Sequence, residues 1–382
     1  MKRITGTYVT ATTSGESVRT FVPNHLPPAD PPLAMASLID LNRQAELALA
    51  RLSGVSGLVP SVDWLLYSVV RKEALLTSQI EGTQATLTDL FDEEAGLKVS
   101  NTDDVAEVTN YLRAFRLVQE QLRDPKGLPL SVRLLCDAHR LLLDGVRGAG
   151  KQPGELRRSQ NWIGGTRPGN AAFVPPPPER VPELLSSLER FIHKSPGNLP
   201  PLVKIALIHA QFETIHPFLD GNGRIGRLLV AALLEHWNLL AEPLMYLSGY
   251  LKQHQAEYYR RLSLIRTDGD WESWVAFFLE GVAVAAAQAE QSIIAIASLI
   301  ATDRRRLLQS PKAGPATYRL FELLPMMPRF TVERVRQQLE TTFPTANAAV
   351  QVLEQLGVVA EVTGQKKNRS YSYQAYIDLL TR

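Results

Sequence analysis

The chain has 382 residues, 45% of them hydrophobic and 21% charged, with a formal net charge of +2. This is a globular composition, long enough for two or three domains and too neutral overall to argue for a nucleic-acid or membrane partner. A single cysteine, Cys136, excludes an intrachain disulfide and a cysteine-built zinc site. The charge is uneven: Arg304 to Arg382 holds 12 Lys/Arg against 6 Asp/Glu, so this tail is basic and the remainder slightly acidic.

Residues 1–34 are rich in Pro, Thr and Ser, show no sustained period and read as an irregular arm. The first residues lack the apolar core of a signal peptide, so a cytoplasmic location is expected. Helical spacing begins near Ser37 and runs to Gly54. A second helix is predicted over Pro60–Ile80, with Gly82 placed to end it. Residues 101–123 and Ser131–Leu143 repeat the pattern behind Asn/Asp and Ser caps.

From 151 to 180 the pattern breaks. Gly-Gly and Pro-Gly turn signals separate short β-capable pieces, which predicts a β-hairpin over 162–174 followed by a polyproline spacer. Helices resume at Val181–His193, Leu202–Thr214, Gly223–Trp237, His254–Leu264 and Trp271–Ile300. The stretch Gly281–Ala301 is alanine-rich but carries Gln288, Glu290 and Gln291, and reads as an amphipathic or buried helix with no membrane contact. Residues 315–382 predict three short helices and two strands around a basic turn, the order of a winged helix. The expected fold is therefore mainly α: a helical core with a small β-hairpin flap, plus a C-terminal winged helix-turn-helix domain.

The richest chemistry lies at 216–227, HPFLDGNGRIGR. His216 is a potential base, and Asp220, four residues on, a potential metal ligand. Gly221-Asn222-Gly223 can turn successive backbone N–H groups toward an anion, at the start of a helix whose dipole favours the same charge. Arg224 and Arg227 fall one turn apart on that helix. Taken singly, a histidine is ordinarily structural and an arginine pair ordinarily solvated. Their joint spacing points to phosphate chemistry, which needs positioning and charge stabilisation more than covalent groups.

This dodecapeptide resembles the signature of the Fic family, His-x-Phe-x-Asp/Glu-Gly-Asn-Gly-Arg-x-x-Arg, without a departure. The resemblance implies transfer of AMP from ATP to a Ser, Thr or Tyr hydroxyl of a protein, this chain included. His216 would be the base and Asp220 would hold Mg²⁺. The stretch Gly221, Asn222, Gly223, Arg224, Ile225, Gly226 and Arg227 would bind ATP. Thr77-Ser-Gln-Ile-Glu81-Gly82 resembles the family's inhibitory motif, so Thr77 and Glu81 would restrain the site, with Glu81 pairing Arg227. The hairpin at 162–174 resembles the flap on which a target docks as an added strand. Gly154-Glu-Leu-Arg157 and Asn161–Gly165 resemble segments that precede it. Tyr250, Tyr258 and Tyr259 could line an adenine pocket, against the ordinary reading of such aromatics as core.

The implied domains are an N-terminal region with the inhibitory helix (1–100), the Fic core (101–300) and the winged helix (312–382). A homodimer is compatible with this organisation. DNA is an alternative partner through Lys366, Lys367 and Arg369, but is not favoured, because the recognition helix offers only Asn347, Gln351 and Gln355 to bases. Two other functions stay open: removal of AMP from a modified protein using Glu81, and nucleotide sensing by a DNA-binding regulator.

Overall fold

The computed structural model describes residues 3–194, 199–365 and 367–381. The chain opens with a β-hairpin, not an irregular arm: β1 (Gly6–Thr13) pairs antiparallel with β2 (Glu16–Pro23) in register from Gly6↔Pro23 to Thr13↔Glu16. Ser14 and Gly15 both have positive φ, the geometry of a two-residue turn that matches strand twist. Most of β1 is exposed, so it shows no apolar alternation, whereas β2 buries Val18, Phe21 and Val22. The legible signal was the Ser-Gly pair between Thr/Val-rich runs.

The body is helical. α1 (Ile39–Val55) lies along α11 (Trp271–Leu308). α2 (Val62–Ile80) starts at Ser61, whose hydroxyl accepts the Asp63 amide, and ends at Glu81 with Gly82 at φ 99°. Then come α3 (Leu87–Glu94, behind a Thr86/Asp89 capping box), α4 (Thr102–Arg123) and α5 (Val132–Leu142). α6 (Val181–His193) leads to α7 (Pro201–Ile215), which is buried on nearly every side and so forms the central helix. α8 (Asn222–His236) packs against it, followed by α9 (Leu247–Gln253) and α10 (Gln255–Asp268). The short α3 and α9 have no counterpart in the sequence reading, since one or two turns give too little period to recognise.

α11 is long and apolar enough to cross a membrane by length and composition. Here its stripe of Trp274, Phe278, Val282, Ala286, Ile293 and Ile300 is buried, and it packs on α1, α7 and α9. One face of this helix therefore belongs to the core of the fold.

The last segment contains α12 (Pro315–Leu323), β3 (Arg329–Thr331), α13 (Val332–Gln338), α14 (Phe343–Gln355), β4 (Ala360–Glu361), β5 (Ser370–Ser372) and α15 (Gln374–Thr381). Its strands form an antiparallel sheet of order β3-β5-β4. Arg329 makes a two-armed ion pair with Asp92 of α3, and the Tyr376 hydroxyl lies 2.7 Å from Ser68 Oγ on α2. The buried apolar residues of all three expected domains form one connected cluster. The C-terminal segment thus rests on the same helix whose far end carries Glu81.

Candidate active site

α7 ends at His216, which adopts the left-handed conformation (φ 49°), and α8 begins after Gly221, also left-handed (φ 76°). Two reversals within six residues fold the loop back on itself, and side chains hold it so. Asn222 accepts the Phe218 amide and donates to the Phe218 carbonyl, both at 2.8 Å, so its side chain is a staple while its backbone stays at the turn. The amides of Asn222 and Gly223, in the first turn of α8, have no acceptor within the helix. They form the positive end of its dipole.

A non-glycine residue in the left-handed region costs about 1–2 kcal/mol, so His216 needs support. Arg157 supplies it: buried beneath the loop, it donates Nε to the His216 carbonyl (2.9 Å) and Nη2 to Pro176 (2.6 Å). The Arg157 amide bonds the Pro217 carbonyl, and Asn161 donates to Phe218. Burial, and next the nearby Arg157 charge, push the His216 imidazole down to about 4. A hydrogen bond with the Glu213 backbone opposes this shift only in part. At neutral pH His216 is therefore a neutral imidazole, the form that can accept a proton.

Arg227 is 3% exposed and already engaged. Its Nε donates to Thr77 Oγ1 at 2.6 Å, and Nη2 donates to the Thr77 carbonyl (3.1 Å) and to Glu81 Oε1 (2.6 Å). Burial is the largest single influence on the Glu81 carboxylate and disfavours its charge, but the charge and hydrogen bond of Arg227, joined by the Arg224 charge, together hold it below the usual carboxylate range. A Cβ placed on Gly223 would lie 2.3 Å from Glu81 Oε1. The carboxylate therefore sits directly over the glycine turn as well as on the arginine.

Asp220 points one carboxylate oxygen at the Gly221 amide (2.6 Å), with Arg224 Nη2 at 3.8 Å. Arg224, 1% exposed, also pairs with Glu107 of α4 at 3.2 Å, and Glu107 bonds Arg147. Arg147 reaches the Glu81 carbonyl at 3.2 Å, joining the end of α2 to this network. Among the described residues no three His, Cys, Asp or Glu side chains converge as a metal site. Asp220 alone fits Mg²⁺, which takes one or two carboxylates and fills its shell from phosphates and water.

Several residues expected to contact ATP are buried or packed in this structure. The Ile225 side chain is fully buried in the core. Gly226 serves helix packing, since a Cβ there would meet Glu213 Oε1 at 2.4 Å. Tyr258 is buried, with its hydroxyl on His209 Nε2 at 2.8 Å, and Tyr250 packs on His254 and Phe277. Both are core aromatics; only Tyr259, 48% exposed, is free to face a ligand. The expected hairpin at 162–174 is reduced to a single bridge, Ile163↔Phe173. Its far side is taken by the N-terminal hairpin, through the Phe21 amide on the Val174 carbonyl (3.1 Å) and Arg167 on Glu16 (2.6 Å). Lys366 lies outside the described residues.

His139, Glu107 and Arg147 join the site without belonging to any motif of the sequence. Glu107 had a usable signal, a carboxylate on the buried face of α4 among Val105, Val108, Tyr111 and Phe115. His139 had none, because its partners are backbone atoms distant in sequence.

Residues 39–120 match the family model described as Fic/DOC family N-terminal, and residues 129–234 match that described as Fic/DOC family. Among curated relatives, the chain is 28% identical over 213 residues to "Protein adenylyltransferase Fic" of Drosophila grimshawi, across 53% of this chain and 39% of that protein. The protein of the same name from Drosophila melanogaster is 27% identical, across 53% and 38%. The chain spans less than half the length of these relatives. A Fic family protein from Desulfovibrio desulfuricans G20 superposes with a TM-score of 0.58 at 20% identity, covering 90% of this chain and 97% of that one. Fic-1 from C. elegans superposes with 0.51 at 22%, covering 68% and 73%. With the two characteristic segments in order and the signature loop inside the second, residues 39–234 carry the Fic/DOC region of this chain.

Proposed function

We propose that this protein transfers AMP from ATP to a Ser, Thr or Tyr hydroxyl of a protein, itself included, and that Glu81 restrains the reaction by occupying Arg227. The observation that carries the reading is the contrast within one loop. His216 and the first-turn amides of α8 are assembled, while Arg227 is taken by Thr77 and Glu81. The curated relatives named protein adenylyltransferase Fic support the chemistry.

In this mechanism the neutral His216 accepts the hydroxyl proton as the oxygen attacks the α-phosphorus. A bond from that oxygen to phosphorus forms, the bond to the bridging oxygen breaks, and pyrophosphate leaves. The amides at Gly221, Asn222 and Gly223 stabilise charge on the phosphate oxygens, and Arg227, once released, neutralises the leaving end. Arg224, locked between Glu107 and Asp220, contributes from a fixed position. Asp220 would hold Mg²⁺, which supplies charge neutralisation across the phosphates when bound. Asp220 would then release the Gly221 amide that it now engages.

Residues 315–382 are read as a winged helix, with α14 as its second helix-turn-helix element. Its contacts with α2 and α3 favour a role in holding the N-terminal region over DNA binding. A second catalytic reading, removal of AMP, has one observation in its favour: Glu81 is held ionised beside the loop and could orient a water.

The test is incubation with ATP labelled at the α-phosphate, comparing wild type, Glu81→Gly and Glu81→Gly with His216→Ala. Label on the chain in the second alone supports AMP transfer. Release of AMP from a pre-modified protein that requires Glu81 would favour the reverse reaction.

A further inference from the structure

His139 lies on α5, fully buried, with its ring stacked on Phe218 at 3.9 Å between centroids and 10° between planes. The Gly154 amide donates to Nδ1 at 2.8 Å. Nδ1 is therefore the unprotonated nitrogen, and the neutral ring carries its proton on Nε2. That nitrogen lies 3.0 Å from the Asp220 carbonyl and donates to it. Both ring nitrogens and one face are thus fixed.

In a trans peptide the C=O and N–H point to opposite sides. Anchoring the Asp220 carbonyl to α5 therefore turns the Gly221 N–H away from α5, toward the side where the Asp220 carboxylate meets it. Gly221 rests on the same helix: a Cβ there would meet Leu142 at 3.1 Å and the His139 ring at 3.4 Å. Asn222 and Asn161 hold the loop at Phe218, but the peptide that carries the first cradle amide is held from below by His139.

We propose that His139 is a positioning residue for AMP transfer, aiming the Asp220–Gly221 peptide so that the Gly221 amide and the Asp220 carboxylate face the phosphates. This rests on the AMP-transfer reading, although the effect on the loop stands apart from it. His139 touches no substrate and acts through this one peptide.

Two variants in the Glu81→Gly background separate its two hydrogen bonds. In His139→Gln the side-chain amide reaches the place of Nε2 and can donate to the Asp220 carbonyl. In His139→Asn the oxygen takes the place of Nδ1 and can accept from Gly154, but the side chain stops short of Asp220. We expect the Asn variant to lose about 10- to 100-fold in kcat with the KM for ATP little changed, as for an interaction realised in the transition state. The Gln variant should stay within about threefold of its parent. Amide hydrogen exchange over 220–223, measured without nucleotide, should accelerate in Asn and not in Gln, and thermal melting should show both folded. Equal losses in the two variants, or equal exchange, would identify His139 as filler and overturn the proposal. If the Glu81→Gly parent transfers no AMP, the functional reading fails, while the exchange comparison still decides the positioning role.

Discussion

Replacing Glu81 with glycine should free Arg227 and strengthen ATP binding. The magnitude follows from what is removed. Arg227 would lose a 2.6 Å charge-assisted hydrogen bond to a carboxylate that is 32% exposed, and keep its two contacts to Thr77. Such a bond contributes about 1.5–3 kcal/mol when buried. Partial exposure argues for the lower half, so ATP should bind about 10- to 30-fold more tightly at 1.4 kcal/mol per decade. Clearing the carboxylate from above Gly223 adds to this. Thr77→Val should give a smaller gain of a few-fold, since it removes only the Nε acceptor. Calorimetric titration with a non-transferable ATP analogue reads the affinity, and mass spectrometry of the chain reads self-modification. Without nucleotide, Glu81→Gly should also be less stable by about 1–3 kcal/mol, because the buried Arg227 is left underpaired. ATP should restore that loss. An unchanged affinity together with unchanged self-modification would refute the inhibitory role.

Three other perturbations probe the site and the fold. The imidazole of His216 is depressed to about 4, and its active form is neutral, so acid inactivation from this group should begin below pH 5 instead of near 6.5. Burial raises the neighbouring Glu213 carboxyl to about 7, so the profile of Glu81→Gly should be compared with one also carrying Glu213→Gln; a limb near pH 6.5 surviving that change would contradict the assignment. Glu107→Ala leaves Arg224, 1% exposed, with Asp220 at 3.8 Å as its remaining carboxylate partner among the described residues, and should cost about 3–5 kcal/mol in urea unfolding, as for a broken buried pair; a cost below about 1 kcal/mol would mean the pair is not structural. Phe21→Ala in β2, where Phe21 is 2% exposed, should cost about 3 kcal/mol and speed proteolysis before residue 24. Unchanged proteolysis there would return the N-terminal region to a loose arm.

How much was legible differs by residue, and for physical reasons. Helices with a long apolar period, such as α2, α6 and α8, fall within about two residues of their expected bounds, because 3.6-residue spacing and caps are local properties. The N-terminal hairpin escaped because β1 is exposed and lacks alternation. The burial of Tyr250 and Tyr258 was not legible, because helical spacing gives the same pattern to a pocket wall and to a core.

The sequence by itself determined which chemical groups stand together at 216–227. A base, a carboxylate, a glycine turn and two arginines within twelve residues fix their relative order through local backbone geometry alone. It also named Glu81, by a short motif at a helix end. Only the tertiary structure decided what each group does at rest. Arg227 meets Thr77 and Glu81 across 150 and 146 residues of sequence, and the Asp220 peptide is aimed by a histidine 81 residues earlier. Such pairings depend on how α2, α5 and α8 pack, and no local propensity encodes the packing of three helices that are far apart in the chain.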